Sequence, residues 1–186
     1  MGLNLRKLLK RNEFYISLVI VLLSIVIELR SGQFFTPNNL VDLLSALIVP
    51  GLFAIGAFMV IISGGIDVSF PALASLSVYA TTRILTDTNY QGGILLPILM
   101  VLGFGMLLGA FNGLFIAKLK LPTMIITLGT SSVFKGIMQG VLNSTQIAKI
   151  PDGMSQFGTN ALFIAKNQES GLTSRMPVAM LALLAA

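Results

Sequence analysis

Two residue types that carry much of enzyme chemistry are missing from this sequence, which has no cysteine and no histidine. Without cysteine, the chain has no disulfide framework, no thiolate nucleophile and no cysteine-ligated metal. Without histidine, it lacks the commonest general base and metal ligand. We therefore expect no catalytic residues, no metal site and no enzymatic activity.

Charge is also scarce, because 10% of the 186 residues are charged and 55% are hydrophobic. A soluble domain usually has about 25% charged residues, so the long uncharged runs place the chain among membrane proteins. The net charge of +5 does not indicate a nucleic-acid partner. Basic residues instead cluster ahead of the first apolar run, as is typical of a cytoplasmic N-terminal flank: Arg6, Lys7, Lys10 and Arg11.

The apolar runs predict an all-α fold, a polytopic transmembrane helix bundle with about five complete spans and the start of a sixth. The predicted spans are 13–30, 43–63, 68–85, 94–117 and 121–142, and the sixth starts at 176. Residues 14–29 are expected to be a retained signal anchor, because no small-residue cleavage site follows them. Pro50 is expected to kink the second span.

The last apolar run, Met176–Ala186, would rise only about 16 Å as a helix, roughly half of a bilayer core. We therefore expect residues 1–186 to be the truncated N-terminal part of a single transmembrane domain. Alternation from a cytoplasmic N-terminus makes 143–175 an external loop and puts 118–121 inside. The distribution of lysine and arginine agrees with this orientation.

Small residues form a stripe in the fourth predicted span, where Gly105, Gly109 and Gly113 recur every four residues and share one helix face. In lipid, this spacing lets a neighbouring backbone approach closely. Asn112 lies beside the stripe. An interhelical hydrogen bond is the favoured interpretation of Asn112, and a place on a solute path is the alternative.

The fifth predicted span is rich in hydroxyls, and Thr123, Thr127 and Thr130 share one helix face. Hydroxyls can also bond back to their own helix, so the pattern alone does not establish a site. Lys135 lies about 10 Å from the predicted outer end, close enough to snorkel there or to face a cavity. Asn112, Thr127, Thr130 and Lys135 are the candidate path residues.

The stretch "IISGGIDVSF" (61–70) predicts a tight turn between two helices. Gly64 and Gly65 are typical residues for the end of a helix. Ser69 is the expected N-cap of the next helix, with Pro71 in its first turn. Asp67 is a competing cap. We expect Asp67 to order the turn, with direct contact to a solute as the alternative.

Together, these stretches resemble a known family. "ISGGIDVSFPALASLS" resembles the Gly-Gly-Ile-Asp-Leu-Ser signature of inner-membrane permeases of bacterial ABC importers for ribose, xylose and autoinducer-2, which are related to branched-chain amino-acid permeases. Residues 109–137 are similar to a second block of that family, through Asn112, Gly113, Lys118, Lys120, Pro122, Thr127, Gly129, Thr130 and Lys135. Departures from the family pattern at Val68, Pro71 and Thr123 leave the substrate open.

The resemblance implies a permease subunit that forms the path for a sugar or sugar-like solute, surrounded by membrane lipid. It implies a second permease chain (identical or different), cytoplasmic ATP-binding subunits and an external solute-binding protein. It also implies a multi-pass location in the bacterial inner membrane. ATP would bind to a separate subunit, since the sequence has no G-x-x-x-x-G-K-[ST] loop. The segment that docks on the ATPase is expected beyond Ala186.

Three alternatives stay open from the sequence. A secondary transporter would show ion-coupled uptake, and a membrane scaffold would show no transport. An intramembrane aspartyl protease needs two carboxylates that share a site. The predicted topology instead puts Asp42 and Asp67 on opposite sides of the membrane.

Overall fold

The computed structural model describes residues 12–167 and 171–185. The basic cluster of residues 6–11, predicted to be a cytoplasmic flank, lies outside the described residues. The elements along the described chain are α1 (Asn12–Ser31), α2 (Pro37–Ala46), α3 (Ile48–Ile62), α4 (Phe70–Asp87), α5 (Leu95–Leu119), α6 (Thr123–Gly136) with a π-helical turn (Ile137–Val141), α7 (Asp152–Thr159), β1 (Ala161–Lys166), β2 (Thr173–Pro177) and α8 (Met180–Ala185).

Helices lie at all five predicted spans, but they differ in polarity. Over the described residues, three segments are long and apolar enough to cross a membrane: Asn12–Ser31, Pro37–Ile62 and Leu95–Leu119. At most 6% of each apolar window is buried inside the chain, so these segments present apolar surface that suits lipid. The helices α4 and α6 instead hold most of the buried residues, many of them polar.

The chain divides into two compact units. The first contains the described residues 12–45 and 163–176. Its turn after α1 is held by Glu28, whose Oε2 accepts the backbone N–H groups of Phe34 at 2.8 Å and Phe35 at 3.2 Å. In the same unit, Ser174 Oγ donates to Asp42 Oδ2 at 2.7 Å. The carboxylates near both ends of the first loop therefore serve local hydrogen bonds.

Strands β1 and β2 form a two-stranded sheet within the segment that the sequence predicted only as a polar loop. The predicted start of a sixth span at Met176 is wrong. Met176 belongs to β2, where it is buried near Ser45, and the last helix begins only at Met180. The apolar run at 162–164 is a strand signal that sequence analysis passed over.

The second unit contains residues 46–162 and 177–185 of the described chain. The helix break expected at Pro50 occurs instead at Leu47, between α2 and α3. Pro50 lies in the first turn of α3, where its missing N–H leaves the carbonyl of Ala46 without its helical donor. The helix is therefore interrupted before the proline rather than at it.

Helix α4 packs against both α5 and α6, and these contacts form the centre of the second unit. The apolar core is small and consists of Ala72, Leu76 and Phe134. The sequence predicted one continuous helix over 121–142, but α6 ends in the π-helical turn. Three side chains in and just after this turn pack against the core: Ile137, Met138 and Leu142. The wider turn thus places its side chains around Phe134.

Helix α7 rests on the loop between α4 and α5 through Gly153. A Cβ at this position would lie 2.6 Å from the carbonyl oxygen of Gly92 and 2.8 Å from the carbonyl carbon of Gly93. We expect Gly153→Ala to displace α7 and to destabilise the protein by about 1–3 kcal/mol, the usual cost of overpacking. The measurement is thermal unfolding of the purified protein in detergent.

The matched control is Gly158→Ala in the same helix. No atom of the described chain outside the local helix lies within 4 Å of a Cβ there, and alanine favours a helix over glycine by about 1 kcal/mol. Gly158→Ala should leave the melting temperature unchanged or raise it. Equal melting temperatures for the two variants would show that α7 does not rest on this loop.

Candidate functional site

The interface between α4, α5 and α6 is polar, although the outside of the unit is apolar. The buried polar residues of this unit are Ser69, Ser77, Thr81, Thr82, Asn112, Thr127, Thr130 and Ser131. Polar groups away from water must find hydrogen bonds within the protein, and in membrane proteins they tend to face functional paths. This interface, with the turn that leads into α4, is the candidate site.

Asp67 closes the turn between α3 and α4. Its Oδ1 accepts two hydrogen bonds from Ser69, one from the backbone N–H at 2.6 Å and one from the hydroxyl at 2.7 Å. Gly64 ends α3 with φ of +86°, a conformation that favours glycine. The turn is therefore held by a half-buried carboxylate that bonds its own backbone two residues later.

Ser69 occupies the predicted N-cap position of α4. Its side chain nevertheless makes no capping bond to the helix, because its hydroxyl proton goes to Asp67. The same oxygen accepts a hydrogen bond from Asn112 Nδ2 at 2.5 Å. Ser69 therefore links the carboxylate of Asp67 to Asn112 of α5 through two hydrogen bonds. Both Ser69 and Asn112 are buried.

The carboxamide of Asn112 uses its nitrogen, but not its oxygen, in a hydrogen bond to another part of the described chain. Within the described residues, its buried Oδ1 has no hydrogen-bond partner. A buried acceptor without a partner costs about 1–3 kcal/mol. Asn112 therefore bridges α4 and α5 while its carbonyl oxygen stays available to a further donor.

The turn also rests on α6. Thr127 is fully buried, and its Oγ1 accepts the backbone N–H of Val68 at 3.2 Å. Gly65 approaches Thr123 so closely that an added Cβ would lie 3.1 Å from the Oγ1 of that residue.

The two glycines end α3 as predicted, because the N–H of Gly64 donates to the carbonyl of Ile61 at 3.0 Å and the N–H of Gly65 donates to the carbonyl of Val60 at 3.2 Å. Only Gly64 has a positive φ. The small size of Gly65 also permits the contact with α6.

Thr130 lies one turn further along α6, where it is buried and its hydroxyl bonds the carbonyl of Thr127 at 3.3 Å. Pro122 stands directly before α6 and Gly129 is exposed on it. Lys135 is also exposed. The structure thus brings Asn112 and Thr127 together around the turn, places Thr130 beside them, and leaves Lys135 outside the buried interface.

The glycine stripe of α5 faces away from this interface. At Gly105, Gly109 and Gly113, an added Cβ would have no atom of the described chain within 4 Å beyond its own local helix. The stripe is therefore an open surface of the described unit, ready for close approach by another helix.

Sequence analysis missed two hydroxyls of α4, those of Ser77 and Thr81. They lie on one helical row with Ser69, since the three residues are separated by multiples of four, and all three are buried. The same rule that found the threonine face of α6 could have found them. Within the described residues, no three Asp or Glu side chains group together as a metal site. The interface offers hydrogen bonds without charge.

The hydroxyl of Thr127 can be tested by Thr127→Val, which keeps the shape of the side chain. We expect a loss of about 0.5–1.5 kcal/mol, because the N–H of Val68 would lose its acceptor on the buried Thr127. The control is Thr88→Val, since Thr88 is exposed and bonds only carbonyls of its own helix. Thermal unfolding in detergent is the measurement. A Thr127→Val protein as stable as the control would show that the hydroxyl of Thr127 does not stabilise the turn.

Comparison with known proteins supports a family for the whole arrangement. Residues 39–186, which include the turn and all three helices of the interface, match the family model described as "Branched-chain amino acid transport system / permease component". The chain belongs to this permease family. The fold class predicted from the sequence, a polytopic helical membrane protein, is thereby confirmed, as is the resemblance to importer permeases.

Individual relatives carry more specific names. The chain is 34% identical over 140 residues to the xylose/arabinose import permease protein XylH of Sulfolobus acidocaldarius, covering 73% of this chain and 39% of the relative. It is 33% identical over 131 residues to the xylose transport system permease protein XylH of Escherichia coli K12, covering 70% and 33%. It is 31% identical over 141 residues to the autoinducer 2 import system permease protein LsrC of Salmonella typhi, covering 75% and 39%.

The matches therefore span well under half the length of each of these permeases. No solved structure matches the chain. The described permease segment contains the signature turn and the helices that the turn ties together.

Proposed function

We propose that this chain forms part of the translocation path of an ATP-driven importer for a small, neutral, sugar-like solute. The observation that carries the proposal is the buried interface of α4, α5 and α6, whose buried polar side chains are hydroxyls and one carboxamide. Hydroxyls and amides can exchange hydrogen bonds with the hydroxyls of a polyol, and they do not require a charged solute. Three relatives are named for xylose, arabinose or autoinducer 2 transport, which supports this class.

The proposed path residues of the interface are Asn112, Thr127 and Thr130. Asn112 is the strongest of them, because its carbonyl oxygen has no hydrogen-bond partner in the part of the chain that the structure describes. Lys135 is the weakest, since its side chain is exposed on α6. We propose that Asp67 acts through the position of the turn rather than by touching the solute. Movement of α4 against α5 and α6 would then change the hydrogen bonds that link Asp67 through Ser69 to Asn112.

The proposed assembly contains a second permease chain, cytoplasmic ATP-binding subunits and an external solute-binding protein. The N-terminus and the Asp67 turn lie on the cytoplasmic side of the bacterial inner membrane, and residues 143–175 lie outside. In this proposal residues 1–186 belong to the N-terminal part of one transmembrane domain. The open glycine stripe of α5 suits close packing with another helix of the assembly. ATP binds to the separate subunits, and this chain itself holds no cofactor.

Uptake of radiolabelled xylose, ribose and autoinducer 2 into cells tests the proposal. Uptake of at least one of these solutes should require the chain and should stop when the ATP-binding subunit carries an inactive phosphate-binding loop. It should persist when an ionophore collapses ion gradients, provided that cellular ATP is maintained. Uptake that follows the ion gradient would favour a secondary transporter, and no uptake of any solute would favour a scaffold.

A further inference from the structure

A second feature of the unit lies on the other side of α4 from α5. A cleft of about 590 Å³ opens between α3, α4, the π-helical turn and the segment 145–147. This volume falls within the range of about 300–1,000 Å³ that is common for small-molecule sites. The side chains that matter for its chemistry are Phe53, Ser75, Tyr79, Thr82, Met138 and Gln146.

The lining is mostly apolar with a few hydrogen-bonding groups, and none of the described residues that form it is charged. Ser75 Oγ donates to the carbonyl of Pro71, and Thr82 Oγ1 donates to the carbonyl of Val78, each at 2.8 Å. Because both protons are used within the helix, the lone pairs of these hydroxyls remain as acceptors. Gln146 adds an amide that both donates and accepts. Such a set suits the hydroxyl groups of an uncharged solute.

Aromatic rings supply the flat apolar part of the cleft. Phe53 and Tyr79 are both half-buried, and Phe53 is held edge-to-face against Phe70 with ring centroids 5.2 Å apart. A sugar ring has one face of C–H groups that can lie on such surfaces while its hydroxyls turn to polar groups. The position of Phe53 is fixed before any solute arrives, which lowers the entropic cost of binding.

One wall of the cleft is fastened by Tyr79. Its hydroxyl donates to the carbonyl of Thr145 at 3.2 Å and accepts the backbone N–H of Thr145 at 3.1 Å. This pair of bonds holds the segment that carries Gln146 against α4. The wall opposite includes Met138 of the π-helical turn, and such turns are frequent at functional sites.

We propose that this cleft is a binding site for a neutral, hydroxyl-rich solute of monosaccharide size. It would hold the solute at the outer half of the permease, between its arrival from outside and its passage along the interface of α4, α5 and α6. The inference rests on the proposed function, because it assigns a place to the solute that the importer would carry.

The absence of cysteine makes the test direct, since one introduced thiol is the only thiol of the chain. Ser75→Cys and Gln146→Cys place a thiol in the cleft, and Thr88→Cys places one on an exposed residue that does not line it. Each variant is reacted with a charged maleimide in membranes that contain the assembled importer. The reaction is run with and without whichever of xylose, ribose and autoinducer 2 the unmodified protein takes up.

We expect labelling of Ser75→Cys and Gln146→Cys to slow by about tenfold when the solute is at ten times its Kd, by simple occupancy of the site. Labelling of Thr88→Cys should not change. Unprotected labelling in an importer that still takes up solute would overturn the site while leaving the proposed function intact. Failure of the maleimide to reach either cleft thiol would show that lipid or another helix fills the cleft, which also overturns it.

If none of the three solutes is taken up, the proposed function fails first, and this site fails with it. If one cleft variant does not assemble, the other decides, because Ser75 is on α4 and Gln146 is on the separate segment after the π-helical turn. Protection of the thiols by a charged solute and not by a neutral one would also contradict the proposal.

Discussion

Asp67→Ala is expected to reduce solute uptake by about tenfold or more, equivalent to at least 1.4 kcal/mol. Alanine removes both hydrogen bonds that Ser69 donates to the carboxylate. Bonds to a charged group contribute about 1.5–3 kcal/mol each in favourable cases, and the half-buried position of Asp67 reduces this through contact with solvent. The turn would then lose the two hydrogen bonds that close it. Ser69 would also no longer link the carboxylate at position 67 to Asn112.

Asp67→Asn should have an intermediate effect. The carbonyl oxygen of asparagine can still accept from Ser69, but without the negative charge each bond is weaker. We expect reduced transport or reduced assembly, with a lower melting temperature in detergent. If Asp67 orders the turn, the maximal rate of uptake should fall while KM stays nearly constant. If Asp67 touches the solute, KM should rise.

The matched control for these variants is Asp87→Asn at the end of α4. Asp87 is exposed and pairs with Arg83, Nε to Oδ2, at 2.9 Å. An exposed pair of this kind contributes less than about 1 kcal/mol. Uptake and melting temperature should therefore stay close to those of the unmodified protein. If uptake is also unchanged in Asp67→Asn and Asp67→Ala, the carboxylate that closes the turn has no role in transport.

The second large effect is expected at Asn112, where aspartate and leucine should differ sharply. Asn112→Asp would put a carboxylate in a position that is 3% exposed, across Ser69 from the carboxylate of Asp67. Burial and a neighbouring like charge both oppose ionisation. Whether the new group stays charged or takes up a proton, we expect a loss of about 3 kcal/mol or more. Thermal unfolding and the amount of protein in the membrane measure it.

Asn112→Leu removes the bond to Ser69 together with the unpaired carbonyl oxygen. The first change costs about 1 kcal/mol and the second recovers a similar amount, so stability should change little. Uptake should nevertheless fall if the carbonyl oxygen serves the path. An Asn112→Leu protein that is clearly less stable, or that transports normally, would limit Asn112 to joining α4 and α5.

The sequence predicts helices well in this chain because membrane spans depend on local composition. The ends of α4 and α5 fall within two residues of their predicted limits. The left-handed conformation of Gly64 was also predictable, since glycine adopts it at no steric cost. Local rules therefore succeed where the cause lies within a few residues.

The failures have causes that lie far along the chain. Ser69 takes the expected N-cap position, but local propensity could not show that its hydroxyl joins Asp67 to an asparagine 43 residues later. Gly65 helps to end α3, but its approach to Thr123 on another helix could not be predicted locally. The π-helical turn depends on packing around Phe134 that no short window of sequence contains. The strand β1, in contrast, had a local signal in the apolar run at 162–164.

Our central proposal is that this chain belongs to an importer that moves a neutral solute by means of ATP consumed on another subunit. The measurement is accumulation of a radiolabelled solute in vesicles that contain the assembled importer and its solute-binding protein. The solute is whichever of xylose, ribose and autoinducer 2 the cells take up. Accumulation should appear with ATP on the side of the ATP-binding subunits, and it should be absent with a non-hydrolysable analogue. Accumulation driven by a proton or sodium gradient in the absence of ATP would contradict the account.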